Sequence, residues 1–289
     1  ALATAPILGR VFHEIFGLRA ETAQAMRRAA EQRHAASEGR WPAQLSWVLS
    51  PHTVYGLHPE MAHALVQRAR STGQRVSLHL AEHAAERAFL SNGQGPFGEF
   101  LKERGADAPD WHAPGIGPVQ FAARLGLLGS ETILVHLADA RPDDLALVVE
   151  SGAPVVLCPR SNLFIELKLP PLNELLAAGI EPGLGTDSLA SNTTLDVLAE
   201  ASALADRFPG VPAARLLTMA THNGARALGL AHRVGALQEG LTPGLLCLPC
   251  PADAPDPARH VLRYHSAARE VLVRPPVPSP GGDLEQPHR

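Results

Sequence analysis

The chain has 289 residues, enough for one large core or two small ones, with a formal net charge of -4 and a pI near 6.4. That balance gives no electrostatic reason to expect nucleic acid or an anionic membrane as partner. With 45% hydrophobic residues, a mean hydropathy of -0.01 and no apolar run approaching the roughly 20 residues a membrane span needs, the composition points to a soluble globular protein with a small-molecule substrate.

Short β-branched runs alternate with helical-period stretches, the pattern of βα units around a parallel sheet. Strands are predicted over Gly9–Phe16, Leu45–Ser50, Arg75–Leu80, Thr132–Leu137, Pro154–Cys158 and Glu181–Gly185. Helices are predicted over Ala20–Ala36, Pro59–Ser71, Pro118–Leu127, Arg141–Glu150, Pro171–Ala178 and Thr194–Arg207, with one or two more in Pro212–Leu228. Ser91–Gly117 reads as a loop. After Gly244 the pattern changes to two short strands, Leu245–Cys250 and Arg269–Arg274, around a Pro/Asp/Ala loop, and the Pro/Gly-rich tail 275–289 is expected to be disordered. The fold class expected is α/β: a (β/α)8 barrel over residues 1–244 with only six of its strands, and a small β-sandwich remnant over 245–274.

In such barrels catalytic groups gather where strands run into βα loops. Here successive strand ends carry Ser50-Pro51-His52, His79-Leu80-Ala81-Glu82, His136, Cys158-Pro159-Arg160-Ser161-Asn162 and Gly185-Thr186-Asp187-Ser188. Imidazole nitrogen and carboxylate oxygen are zinc donors, and His79 and Asp187 are of those types. A divalent metal lowers the pKa of its water to about 7, making hydroxide available at neutral pH. Glu82 is placed to move the proton to a leaving nitrogen, and His136 to hydrogen-bond the hydroxide and the developing oxyanion. Each residue also has a structural reading: a strand-end His as a satisfied polar group, Asp187 as a helix cap, Glu82 as an acid in a helix's first turn. Four such groups on successive strand ends favour the chemical reading.

These segments, with Met219-Ala220-Thr221-His222-Asn223-Gly224-Ala225, occur in the order of the amidohydrolase superfamily, and the chain resembles its branch of cytosine, adenosine-type and other heterocycle deaminases. The arginine-bearing fifth segment and the Gly-Thr-Asp-Ser-Leu-Ala-Ser run are most similar to aminodeoxyfutalosine deaminases. The resemblance implies a zinc-dependent hydrolase of C–N bonds other than peptide bonds. His79 and Asp187 would ligate one metal, Asp187 would also handle the water proton, and Glu82 would protonate the substrate ring nitrogen. His136 would position water, His52 would contact substrate, and Arg160, Ser161 and Ser188 would line the pocket.

Two departures from the family pattern shape the expectation. No His-x-His pair, the source of two further ligands on the family's first strand, occurs anywhere in the sequence, so two strands are expected to precede Ala1. The strand-four end that carries a bridging lysine in binuclear members carries His52, and the only lysines are Lys102 and Lys168, so one metal is expected. With half a ligand set the chain as given is expected to bind metal weakly. Hydrolytic dechlorination of a ring compound and a non-catalytic remnant are the alternatives. Three cysteines suit a reducing cytoplasm, and a homo-oligomer is compatible with the sequence. Cys247-x-x-Cys250 lacks a βαβ context for redox chemistry. In the first strand, alternation turns only one of His13 and Glu14 inward; packing or solvent exposure is the expectation for Glu14, with substrate contact the alternative.

Overall fold

The computed structural model describes residues 8–37 and 44–274, so Trp41 and the tail 275–289 lie outside the described residues. The chain divides into two compact units: one contains residues up to Val135 and Asp139–Ala153, the other His136–Ala138 and the chain from Pro154. The architecture is α/β, with parallel strand pairs connected by helical crossovers.

In the first unit β1 (Gly9–Ile15) and β2 (Leu45–Pro51) pair in parallel without interruption, from Gly9 opposite Leu45 to Ile15 opposite Pro51. A parallel pair requires a crossover, which begins with α1 (Ala20–Ala35). Gly17 (φ +127°) makes the turn out of β1; a Cβ there would come within 2.8 Å of Thr22, and its backbone bonds to both Gly56 and His58 tie the β1 and β2 loops together. Helix α2 (Pro59–Ser71) starts on a proline whose missing N–H costs nothing in a first turn, and it buries Ala62, Leu65, Val66 and Ala69 as one face.

Strand β3 (Val76–Leu80) joins β2 by a different device. The buried Ser50 hydroxyl donates to the Ser77 carbonyl and accepts from the Ser77 N–H, both at 2.7 Å, in place of a backbone ladder. Further along, the His79 N–H donates to the His52 carbonyl. Helices α3 (Ala84–Asn92), α4 (Pro96–Glu103) and α5 (Pro118–Arg124) follow, then β4 (Thr132–His136) and α6 (Pro142–Ser151). Backbone bonds from Val76 to Glu131 and from Asp139 to Ala81 make β3 and β4 parallel. Helix α4 corrects the loop expected over Ser91–Gly117: Pro96 suits its first turn, and the left-handed Gly93 and Gly95 beside it mask a short helix as a joint.

The second unit holds β5 (Val155–Leu157), α7 (Pro159–Glu166), α8 (Leu172–Ala177), β6 (Gly183–Leu184), α9 (Val197–Arg207) and α10 (Ala213–Thr218), then a π-helical turn over Met219–Asn223, α11 (Gly224–Ala227), β7 (Leu245–Cys247), α12 (Pro257–Arg263) and β8 (Glu270–Val273). Val156 pairs with Gly183 and Leu157 with Leu184 in parallel. A Cβ on Gly183 would lie 3.0 Å from the Gly224 nitrogen, so the π turn packs directly on the backbone of β6, and Asn223 fixes it by donating to the Pro182 carbonyl. The β7 and β8 strands form an antiparallel pair, and the segment between them, expected as a loop, contains α12, capped by the Asp256 side chain. Leu157, Leu172, Leu175 and Leu204 are fully buried in this unit, and Leu57, Leu78, Leu80 and Leu134 in the first. Among the described residues no helix is long and apolar enough to cross a membrane.

Replacing Ser50 by Ala leaves the buried Ser77 N–H without its partner, a loss expected to cost about 1–3 kcal/mol. Chemical denaturation of Ser50→Ala against the parent chain measures it, and an unchanged midpoint would mean the hydroxyl does not hold β2 to β3.

Candidate metal and catalytic site

Alternation along β3 buries Leu78 and Leu80 on one face and turns His79 to the other. There the His79 Nε2 lies 3.0 Å from the Glu14 Oε1, and the Glu14 Oε2 lies 3.9 Å from the His52 Nε2. The two imidazole rings are 5.2 Å apart at 60°. Register decides which β1 residue arrives here. Glu14 stands opposite Ser50, while His13 contacts the Trp47 ring edge-on and Arg33.

Beyond β3 the chain turns through Ala81 in the left-handed region (φ +50°), a conformation that costs a non-glycine residue about 1–3 kcal/mol. The turn is held by Glu86, whose Oε2 accepts the Glu82 N–H at 2.9 Å. Glu86 occupies the apolar face of α3 beside Phe89 and Leu90. Burial pushes its pKa up to about 8, opposed by the N–H bonds from Glu82 and Ala81, so the carboxyl is mostly neutral at pH 7. The Glu82 side chain points to His83, Oε2 to Nε2 3.1 Å. Tyr55, stacked on Phe97, has its phenol pKa raised by burial and by the charges of Glu86 and Glu82.

In the second unit Asp187 follows β6 with a positive φ of 55°. The Ser161 and Ser191 hydroxyls each lie 2.7 Å from its Oδ2. Burial works to raise the Asp187 pKa, but the two hydroxyls, the charge of His136 and the Ser188 N–H together hold it below the usual carboxylate range. His136 is fully buried, also left-handed (φ +82°), with its Nδ1 3.3 Å from the Asn162 amide nitrogen. The Arg160 guanidinium reaches Thr193 at 2.6 Å, while its backbone N–H donates to Glu200. Glu200 is buried on α9, its pKa raised by that burial, and it accepts from Asn192, which also bonds the Thr186 carbonyl. Ser188 is exposed and caps its own turn through the Ala190 N–H.

The Amidohydrolase family profile matches residues 7–248. This chain belongs to the amidohydrolase family. It is 34% identical over 214 residues to a 5-methylthioadenosine/S-adenosylhomocysteine deaminase of Moorella thermoacetica, covering 72% of this chain and 44% of that protein. It is also 34% identical over 190 residues to an aminodeoxyfutalosine deaminase of Deinococcus radiodurans, covering 63% of this chain and 45% of that one. A zinc-bound adenosine deaminase of Xanthomonas campestris superposes with a TM-score of 0.72 at 25% identity, covering 93% of this chain and 61% of its own. The chain thus spans a little under half the length of the curated relatives it matches.

For an amidohydrolase the donor types fit a divalent metal. His79 presents Nε2 toward a carboxylate, and Asp187 is kept ionised by hydroxyl donors that leave it anionic. The first unit brings His79, His52 and Glu14 together and holds Glu82 through Glu86; the second brings Asp187, Ser161 and His136 together. Ser191, Asn192, Glu86 and Glu200 had no role assigned from sequence. For the two glutamates a signal existed: each is an acid on the apolar face of its helix.

Glu86 makes a pH test available. Its folded pKa of about 8 lies above its ordinary value of 4.5, so between these pH values the folded chain binds a proton the unfolded chain has lost. The associated stability is present in full below pH 4.5 and is lost as pH rises toward 8, at up to about 1.4 kcal/mol per pH unit. The stability difference between the parent and Glu86→Gln should therefore shift with that slope between pH 5 and 8; a pH-independent difference would mean that Glu86 is ionised throughout.

Proposed function

We propose that residues 1–244 carry strands three to eight of an amidohydrolase barrel, that residues 245–274 belong to its accessory sandwich, and that the activity is hydrolytic deamination of an amino-substituted heterocycle or nucleoside. The observation that carries this is Asp187, a strand-end carboxylate held ionised by Ser161 and Ser191. The names of the deaminase relatives point to adenosine-type substrates. The metal is proposed to be a single zinc ion held by His79 and Asp187. When bound, zinc supplies a water acidic enough to ionise near neutral pH.

The chain's own residues divide the remaining work. Asp187 takes a proton from the water, and its hydroxyl partners keep it anionic until then. Glu82 carries a proton to the ring nitrogen, held in place by the N–H bond to Glu86 and exchanging through His83. His136, buried and oriented beside Asn162, positions the attacking water. His52, Arg160, Ser161 and Ser188 contact the substrate. All three cysteines are free thiols, which suits the reducing cytoplasm proposed as the location. Neither nucleic acid nor a membrane surface is a proposed partner, and self-association is compatible with this reading.

The zinc-loaded protein should release ammonia from adenosine-type nucleosides in preference to cytosine or aminotriazines. Glu82→Gln should lower kcat by about 10²–10⁴ with zinc content unchanged, as expected for loss of a general acid. Chloride release from a chlorinated ring without ammonia would favour dechlorination, and no turnover of any of these by protein with full zinc would favour the non-catalytic reading.

A further inference from the structure

We propose, resting on the deaminase reading of Asp187, that Glu200 and Asn192 act as one positioning pair that assembles the hydroxyl clamp on Asp187 and seats Arg160 with it. The clamp is a triangle of oxygens. Ser161 Oγ and Ser191 Oγ each lie 2.7 Å from the Asp187 Oδ2 and 2.8 Å from each other. Ser161 sits in the first turn of α7, while Asp187 and Ser191 belong to the loop between β6 and α9, so nothing local brings them together. A displacement of either segment by about an ångström takes the hydroxyls out of hydrogen-bond range.

What joins the segments is bonded one residue away from each of the three oxygens. The Glu200 Oε2 accepts the Arg160 N–H at 2.8 Å, next to Ser161, and its Oε1 accepts from the Asn192 amide at 2.6 Å, next to Ser191. The same amide nitrogen donates to the Thr186 carbonyl at 2.9 Å, next to Asp187. That carbonyl lies in the peptide plane from which the Asp187 φ of +55° is measured, so the bond pins a left-handed turn that a non-glycine residue does not adopt unaided. The Asn192 Oδ1 accepts the N–H groups of Thr193 and Thr194, so both donors and both lone pairs of the amide are used. Thr193 in turn receives the Arg160 guanidinium, which leaves Arg160 held at its backbone by Glu200 and at its tip by the loop. Glu200 is fully buried and Asn192 is buried, so no water replaces a lost partner. The pair also has a fixed polarity: both Glu200 oxygens accept, and an amide in its place sets donor against donor.

Reversing that polarity is the test. Crystal structures of the metal-free whole chain and its variants read the clamp directly. In Glu200→Gln at least one serine hydroxyl should leave the Asp187 Oδ2. Adding Asn192→Asp supplies an acceptor to the new amide, ties the start of α7 to the loop again, and should recover the Ser161 contact. If Glu200→Gln does not fold, Asn192→Ala removes the other half of the pair and should open the clamp in the same way. Asp256→Ala, which removes the cap of α12 in the same unit, should leave the clamp closed. Zinc titration against a chromophoric chelator gives a second readout: Glu200→Gln should weaken binding about tenfold, the double variant should recover part of that loss, and Asp256→Ala should bind like the parent. Both hydroxyls in place in folded Glu200→Gln, or a double variant no better than the single one, would overturn the proposal. A parent chain that binds no zinc would instead overturn the metal reading of Asp187, and the crystal geometry alone then decides whether Glu200 and Asn192 build the clamp.

Discussion

A slip of one residue in the β1–β2 ladder would exchange Glu14 for His13 at the mouth and turn every side chain of β1 to the opposite face. The first unit's chemistry depends on that register, because the side chains meeting there come from separate strands and have no local sequence reason to be near each other. The ladder runs unbroken for the full length of both strands, and its far end is closed by the Gly17–Gly56 and His58–Gly17 bonds. Where β2 passes to β3 the ladder gives way to the Ser50 hydroxyl, which both donates and accepts, and register is restored by the backbone bond between His79 and His52. A serine can do this only from inside, where no water competes for its single proton and lone pairs.

The two units solve one problem in the same way. In each unit one strand end that carries an acid leaves through a left-handed non-glycine residue, Ala81 after β3 and Asp187 after β6, and that conformation has to be over-determined by its surroundings. Each unit also has a buried glutamate on a helix that accepts a backbone N–H: Glu86 takes that of Glu82 in the turn after Ala81, and Glu200 that of Arg160 at the start of α7. Burial raises the pKa of both. Both glutamates act as struts from the buried face of their helices, where burial disfavours the charged form.

Hydrophobic period and proline placement made most of the fold legible. Pro59–Ser71 was readable to the residue, and the six strand positions to within two residues at either end, because apolar runs bounded by Gly and Pro admit few alternatives. Four helices were not recognised, α3, α4, α7 and α12; all are short, and the last three begin on proline after loop-like residues: Gly-Pro, Cys-Pro-Arg-Ser and Asp-Pro. At the site, single-residue types were legible and pairings were not. Alternation left open which of His13 and Glu14 points inward, because the meeting of Glu14 with His79 depends on three-dimensional register. The Asp187 clamp needed Ser161 and Ser191 from segments 30 residues apart to meet on one oxygen.

The protonation of Glu86 reaches further than stability. Glu82 and Glu86 lie four residues apart on neighbouring turns, joined by a backbone N–H, and each raises the cost of ionising the other. Below about pH 8 Glu86 is mostly neutral, so Glu82 faces no like charge from it while its Oε2 lies 3.1 Å from the His83 Nε2. Above that pH a second carboxylate forms in the same buried pocket. The new charge favours keeping the proton on the Tyr55 phenol, whose pKa it raises.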